Sequence, residues 1–221
     1  MAYVHLHVYS EYSLLRSTCR VEALAARARR EGQSALALTD RNAMYGVIPF
    51  YNACMKEGIR PIIGMELSVG EKAATGQRQI EEAPVLVLLA ENNEGYRNLV
   101  KLASIVRSRS ERVGLDDLRR FAAGLIVLSG GPAGVLDRLF EKGQDEAAQQ
   151  TAEELAAAFP DNFYIEYQRP NGIQGSAVER KKRRLSKRLG LPSVATHHVR
   201  YLDRADARAC ACLCLLYTSD A

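Results

Sequence analysis

The chain has 221 residues, of which 47% are hydrophobic and 25% are charged, and its formal net charge is +4. These values are typical of a folded domain with one sizeable core, and they argue against a disordered chain. The mild excess of positive charge is compatible with a nucleic-acid partner without indicating one.

The search for targeting signals and the spacing of the cysteines give little information about function. The longest apolar stretches are too short to cross a bilayer, and the first residues lack a basic segment followed by an apolar one. The five cysteines form no paired framework, and Cys210, Cys212 and Cys214 alternate in a way that surrounds a zinc ion poorly. We therefore expect a cytoplasmic protein with no membrane association.

Short β-branched segments alternate along the chain with segments of helical period. The predicted strands are Tyr3 to Tyr9, Ser34 to Thr39, Pro61 to Val69, Pro84 to Ala90, Gly124 to Ser129, Asn162 to Tyr167 and Pro192 to Thr196. The predicted helices are Val21 to Glu31, Val47 to Glu57, Glu94 to Arg107, Asp145 to Phe159 and Ser176 to Leu189, most of them followed by Gly or Pro. Gly70 to Ala83 is polar and predicts a surface loop or irregular hairpin.

This alternation is typical of βα units with a parallel sheet. Seven strands with about as many helices, and no long linker, favour a closed or nearly closed β/α barrel, with an open doubly wound sheet as the alternative. In a parallel barrel the functional face lies at the carboxyl ends of the strands. Ionisable residues stand there: His7, Asp40, Glu66, Glu166 and the pair His197-His198. Such a convergence indicates a hydrolytic metal centre.

Several of these segments resemble a known family. VHLHVYSEYSLL (Val4 to Leu15), ALTDRNAMYG (Ala37 to Gly46), IIGME (Ile62 to Glu66), NNEGYRNL (Asn92 to Leu99) and VATHHVRYL (Val194 to Leu202) occur in order. They are similar to motifs of the PHP (polymerase and histidinol phosphatase) domain at the start of bacterial DNA polymerase III alpha subunits. The resemblance implies a PHP domain over residues 1–209, folded as a distorted (β/α)7 barrel. Residues 210–221 would then be a C-terminal tail at the end of a fragment.

In metal-bearing members of this family, a cluster of up to three zinc or manganese ions supports phosphoester hydrolysis, in some polymerases as a 3′-5′ exonuclease. His7 and Glu66 match ligand positions of that pattern, but other ligand positions carry Tyr9, Arg16, Arg41, His198 and Arg200. The cysteine that the family often places near Ser129 is absent as well. A guanidinium repels a divalent ion and has no lone pair to donate. We therefore expect no stable cluster of ions.

Two alternatives remain for these residues. One zinc or manganese ion would bind weakly to His7, Glu66 and His198, with Asp40 as a weaker ligand. The arginines would otherwise pair with Glu66, Asp40 or Glu11 and replace the metal as internal struts.

A basic run follows late in the chain, with Arg180, Lys181, Lys182, Arg183, Arg184, Lys187 and Arg188 on one predicted helix. Such a run is usually a solvated outer face, and the alternative is a contact with DNA or with a polymerase domain.

The resemblance implies a structural module of a replicative DNA polymerase, with palm and thumb domains of the same chain, replisome subunits and, through the parent enzyme, DNA as partners. No cofactor is expected in this segment apart from the one weak ion, and the magnesium of polymerisation would belong to the polymerase domain. The alternatives are a metal-dependent phosphoesterase or 3′-5′ exonuclease, and a plain nucleic-acid-binding module.

Overall fold

A computed structural model of the chain describes residues 3–70, 83–109, 112–169 and 175–219. The chain divides into two compact units. The first comprises residues 1–65 and 197–221, and the second comprises residues 66–196. The division falls inside one strand, between Met65 and Glu66.

The strands are β1 (His7–Val8), β2 (Ala35–Leu38), β3 (Arg60–Ser68), β4 (Val85–Ala90), β5 (Leu125–Leu128), β6 (Phe163–Tyr167), β7 (Ser193–Ala195) and β8 (His198–Val199). The helices are α1 (Val21–Arg30), α2 (Val47–Glu57), α3 (Asn93–Arg109), α4 (Leu115–Arg120), α5 (Val135–Glu141), α6 (Asp145–Ala158), α7 (Ala177–Leu189) and α8 (Ala207–Ser219). Each predicted strand and helix has a counterpart, so hydrophobic periodicity located these elements correctly.

In the first unit, the first and last strands of the chain are neighbours. β1 pairs with β8 in parallel, with His7 opposite His198. β2 lies on the other side of β1, where the Thr39 amide donates to the Val8 carbonyl at 2.8 Å, and it pairs in parallel with the start of β3. Helices α1 and α2 bury one apolar face each, including Leu24 and Phe50. This order of strands places the carboxyl ends of β1 and β8 side by side.

In the second unit, β4 pairs with β5 in antiparallel orientation, while β5, β6 and β7 are parallel to one another. The prediction of an all-parallel sheet is wrong at β4. An antiparallel pair is an ordinary addition to a sheet of this class, and the apolar sequence of a buried strand carries no information about its direction. The carboxyl ends of β5, β6 and β7 share one edge, and they position the polar residues described below.

Four elements were not expected from the sequence: α4, α5, the short strand β8 and α8, which covers most of the predicted C-terminal tail. Three of them are shorter than eight residues, too short for a periodic pattern to be distinct. The loop predicted for Gly70 to Ala83 lies almost entirely outside the described residues.

A close backbone approach fixes the start of α3. The Asn92 side chain accepts hydrogen bonds from the Glu94 and Gly95 amides at 2.9 and 3.1 Å. A Cβ on Gly95 would lie 1.8 Å from the Gly124 carbonyl oxygen, so only glycine fits there. Local packing therefore accounts for the Asn-Asn-Glu-Gly motif without a ligand.

Within the described ranges, no helix combines the length and hydropathy needed to cross a membrane.

Candidate functional site

Two histidine rings meet where the first and last strands pair. The rings of His7 and His198 stack with centroids 4.1 Å apart and planes inclined by 19°. Tyr9, which is buried, sets its ring edge-on to His198 at 4.4 Å. The register of β1 against β8 produces this stack directly, because it places the two histidines opposite each other.

His7, His198 and Glu66, which follows Met65 in β3, form a group that matches a metal-binding donor set. One candidate ligand atom from each lies within 4.8 Å of the other two. His7 and Glu66 are fully buried. His5 and His197, the other two histidines of the chain, are not members of this group.

The three donors suit a single ion better than a cluster. Two imidazoles and one carboxylate form a common protein donor set for zinc, with a further position left for water. An imidazole donates its lone pair in the plane of the ring, so an ion about 2 Å from both nitrogens must lie close to both ring planes. The two ring planes are inclined by only 19° and the ring centroids lie 4.1 Å apart, so the planes do not meet within bonding distance of both nitrogens. The donors therefore fit one ion in type and spacing, and binding requires one ring to turn.

Asp40, predicted as a weaker ligand, holds the loop after β1. Its carboxylate accepts hydrogen bonds from the Ser10 amide at 2.7 Å, the Ser10 hydroxyl at 2.7 Å and the Ser13 hydroxyl at 2.6 Å. Burial raises the pKa of Asp40, and the serine donors oppose that shift. These bonds occupy both carboxylate oxygens, which suits a structural clamp.

Arg16, Arg41 and Arg200 are the three arginines that the resemblance predicts at ligand positions. Arg200 donates from its Nε to the Arg16 carbonyl at 3.0 Å, and the Thr18 amide donates to the Arg200 carbonyl at the same distance. The Arg41 amide donates to the Ser13 hydroxyl at 3.1 Å. The first two contacts tie the segment after β1 to the segment after β8, and the third ties it to the segment after β2. Pairing of the arginines with Glu66, Asp40 or Glu11 stays a prediction.

The first unit also contains buried polar atoms without a hydrogen-bond partner among the described residues. They are His5 Nδ1, Glu11 Oε2, Thr18 Oγ1 and Gln33 Oε1. A buried polar atom that lacks a partner costs roughly 1–3 kcal/mol, so the polar groups of this unit are incompletely satisfied.

The second unit places a different set of polar residues at the ends of its strands. Glu166, fully buried at the end of β6, accepts from the Gly130 amide at 2.9 Å, from the Gln168 side chain at 2.8 Å and from the Thr196 hydroxyl. The Glu166 amide donates to the Ser129 hydroxyl at 2.9 Å. This carboxylate cross-links the ends of three strands.

A buried ion pair lies beside Glu166. Lys182 of α7 is 3% exposed, and its ammonium is 2.8 Å from Asp137 Oδ1 and donates to the Glu166 carbonyl at 2.8 Å. Burial raises the pKa of Asp137 to about 6, and Lys182 opposes that shift. This pair joins α5 to α7, and the hydrogen bond to the Glu166 carbonyl joins α7 to β6.

The structure changes the interpretation of the basic run at one residue. Lys182 points into the interior, so the prediction that it contacts nucleic acid is wrong for this residue. Arg180, Arg183, Arg184, Lys187 and Arg188 are exposed, and Lys181 is partly buried against Asp145 at 2.5 Å. A signal for the burial of Lys182 existed: it lies four residues after Val178 and three before Leu185, on the apolar side of the helix.

Sequence reasoning also missed Asp137 and the role of Tyr9. Asp137 lies on an unexpected helix, and its partner is 45 positions away, so no local pattern marks it. Tyr9 was treated as a lost ligand, but its ring packs against the histidine that remains.

The chain matches the family model described as "PHP domain" over residues 5–170. It is 41% identical over 216 residues to a DNA polymerase III subunit alpha of Bacillus subtilis, covering 96% of this chain and 19% of the relative. Proteins of the same name from two other bacteria are also similar. The one from Borreliella burgdorferi is 33% identical over 214 residues, covering 94% of this chain and 19% of the relative. The one from Treponema pallidum is 37% identical over 221 residues, covering 95% of this chain and 18% of the relative. The chain thus spans about a fifth of the length of these relatives.

Two solved structures share the fold. One is described as an amidohydrolase from Chromobacterium violaceum with bound sulfate and no metal, at a TM-score of 0.56 and 13% identity, covering 95% of this chain and 96% of that one. The other is described as a putative metal-dependent phosphoesterase from Bifidobacterium adolescentis. Its TM-score is 0.54 and its sequence identity is 12%, covering 95% of this chain and 96% of that one. These likenesses show a shared fold, and together with the match to the family model they confirm the predicted α/β fold of the PHP type.

Proposed function

The chain belongs to the PHP domain family, and from this membership we propose that it is the PHP domain of a bacterial replicative DNA polymerase, acting as a structural module with a degraded metal site. One observation carries the proposal. Tyr9, at the position that the resemblance gives to a family ligand, is buried with its ring perpendicular to that of His198, and it contributes an aromatic ring where the family has a second imidazole.

The surrounding contacts support the same reading. Asp40 is engaged by Ser10 and Ser13, and Arg200 by the Arg16 carbonyl. A cationic side chain raises the free energy of a divalent ion placed nearby, and a carboxylate engaged by three donors binds an ion less readily. One weakly held zinc or manganese ion at His7, Glu66 and His198 is the most that this arrangement supports.

The biological setting follows from the similarity to polymerase alpha subunits. In such a parent chain the module would pack against the palm and thumb domains in the cytoplasm. DNA and the other replisome subunits would be partners of the whole enzyme. Magnesium would be bound in the polymerase domain. The module would stabilise the domains that extend DNA.

The grouping of His7, Glu66 and His198 favours a second candidate, a metal-dependent phosphoesterase or 3′-5′ exonuclease. When bound, a zinc or manganese ion would lower the pKa of its water and supply a nucleophile for phosphoester hydrolysis. The chain would contribute two imidazole donors and one carboxylate donor. The buried Tyr9 ring would keep water from one side of His198.

Metal content decides between the two candidates. We expect the purified chain to carry less than one zinc or manganese ion per molecule by elemental analysis. Its unfolding midpoint should be the same with and without a chelator. The chain should release neither phosphate from a phosphomonoester nor nucleotides from single-stranded DNA when manganese is added.

The variant His7→Ala and the matched control His197→Ala complete the test, because His197 is exposed and lies outside the ligand group. Manganese-dependent release that His7→Ala abolishes and His197→Ala preserves would establish the hydrolase. Two or three tightly held ions per chain would also overturn the structural proposal.

A further inference from the structure

Helix α7 presents a continuous cationic face to solvent. Five exposed residues form it, and we call this set the basic stripe: Arg180, Arg183, Arg184, Lys187 and Arg188. At 3.6 residues per turn they fall within an arc of about 140°, and the stripe is about 12 Å long. The opposite side of the helix is buried through Lys182 and Leu185. The direction of the stripe is therefore fixed by the core beneath it.

Carboxylates neutralise only part of this face. Arg183 pairs with Glu179 at 2.9 Å, and Glu179 also pairs with Arg169. Among the residues that the structure describes, none forms an ion pair with Arg184, Lys187 or Arg188. Three positive charges therefore remain uncompensated by described residues.

Helix stability does not account for the stripe. Cations near the carboxyl end of a helix interact favourably with its dipole, which explains Lys187 and Arg188. Arg180 lies in the first turns, where that interaction is unfavourable. The i, i+4 pairs of like charge, such as Arg180 with Arg184 and Arg184 with Arg188, each reduce helix stability by a few tenths of a kcal/mol. The helix thus tolerates repulsion that an outside anion would relieve.

We propose that the basic stripe is a binding surface for the phosphate backbone of DNA. DNA presents one negative charge per roughly 1.7 Å of duplex axis, so a stripe of this length faces several phosphates at once. The stripe offers guanidinium and ammonium groups and no aromatic ring. It can therefore pair with phosphates but cannot stack on bases, and the binding is independent of sequence.

This surface goes beyond the proposed function, since a structural module requires no DNA contact of its own. It also shares no residue with the group of His7, Glu66 and His198. Within a polymerase, such a surface would hold template or product strand by charge alone.

The test measures DNA binding as a function of salt. The full chain is titrated against a fluorescently labelled oligothymidylate and a labelled duplex between roughly 50 and 200 mM salt. Binding to phosphates releases counterions, so log K falls linearly with log salt, with a slope of about 0.7 per contact for single strands. We expect Arg184→Gln/Lys187→Gln/Arg188→Gln to reduce the magnitude of that slope by about 2 on the oligothymidylate and to weaken binding at every salt concentration.

A control variant with equal net charge separates a surface from bulk electrostatics. Arg29→Gln/Arg30→Gln/Lys56→Gln removes three exposed charges from α1 and α2 of the first unit. We expect this variant to bind like the unmodified chain. Circular dichroism and urea unfolding confirm that both variants are folded.

Three results would overturn the proposal. They are an unchanged slope in the α7 variant, an equal loss in both variants, and binding to polyglutamate but not to either DNA. The last result would identify an acidic protein as the partner of the stripe.

Discussion

The two units hold their buried ionisable groups in different ways. In the second unit, Glu166 has three donors, and Lys182 is matched by the Asp137 carboxylate and a carbonyl. In the first unit, several buried polar atoms lack a partner among the described residues, and His7 and His198 stack ring on ring. Ionisable residues near strand ends are thus held by several donors and by an ion pair in the second unit, whereas in the first unit two imidazoles lie ring on ring. The second unit also retains buried polar atoms without a hydrogen-bond partner among the described residues, Asp137 Oδ1 and Arg138 Nε.

This difference shows that strand-end position alone does not identify a functional residue. Glu66 and Glu166 are both fully buried glutamates on strands. Glu166 is held by donors from three neighbouring segments, whereas Glu66 lies with two imidazoles in a donor set that suits an ion. The neighbours of each carboxylate decide its role.

The largest effect is expected from breaking the buried pair of Lys182 and Asp137 in the second unit. At pH 8, Lys182→Met leaves the Asp137 carboxylate buried without its cation, and the free energy of unfolding should fall by about 3 to 5 kcal/mol. Burial already raises the pKa of Asp137 to about 6, and loss of Lys182 raises it further. A carboxyl with a raised pKa in the folded state favours folding most when protonated. The loss should therefore shrink as the pH is lowered from 8 to 5, as measured by urea unfolding.

The double variant Asp137→Leu/Lys182→Met is the control for this prediction. It removes both charges, so it should recover much of the stability at pH 8. A loss that is independent of pH, or one below about 1 kcal/mol, would show that the pair does not hold the second unit together.

In the first unit, we expect Asp40→Asn to lower the free energy of unfolding by about 1 to 3 kcal/mol. The amide nitrogen of asparagine cannot accept a hydrogen bond, so at least one donor of Ser10 or Ser13 loses its acceptor. Chemical denaturation with and without chelator is the measurement. If chelator destabilised the unmodified chain but not the variant, Asp40 would be a metal ligand and not a structural clamp.

A smaller loss, about 1 to 2 kcal/mol, is expected for Arg200→Ala, because the hydrogen bond to the Arg16 carbonyl disappears. Chelator should leave the stability of both proteins unchanged. Marked destabilisation of the unmodified chain by chelator would contradict the view that arginines replace a metal as struts. Arg200→Lys, which keeps the charge, separates the loss of the hydrogen bond from the loss of charge.

The smallest effect concerns stability after charge removal from α7. Arg184→Gln/Lys187→Gln/Arg188→Gln should change the free energy of unfolding by less than about 0.5 kcal/mol, since relief of repulsion offsets the lost dipole interaction. Thermal unfolding of this variant and of Lys182→Met, measured side by side, compares the stability contributed by the outer and the inner side of α7. A loss as large as that of Lys182→Met would mean that the basic stripe is structural.

The grouping of the candidate metal donors could be anticipated from the sequence. His7, Glu66 and His198 were predicted as one donor group, and they lie within ligand distance of one another. Their proximity was expected because strand order and strand-end position follow from a regular alternation of elements, and metal binding by them stays a prediction. The stack of the two rings and the edge of Tyr9 were not predicted, since side-chain rotation depends on neighbours that are distant in sequence.

By itself, the sequence determined where most strands and helices lie and which residues occupy the strand ends, and its resemblance to a family predicted which ligand positions have changed. Periodicity and motif spacing are local properties, so they are readable along the chain. Only the tertiary structure decided that β4 is antiparallel to β5, that Asp40 is bound by serines and that Lys182 is buried against Asp137. Those outcomes depend on contacts between residues about 30 or more positions apart, where burial and hydrogen bonding select the partner of each charged group.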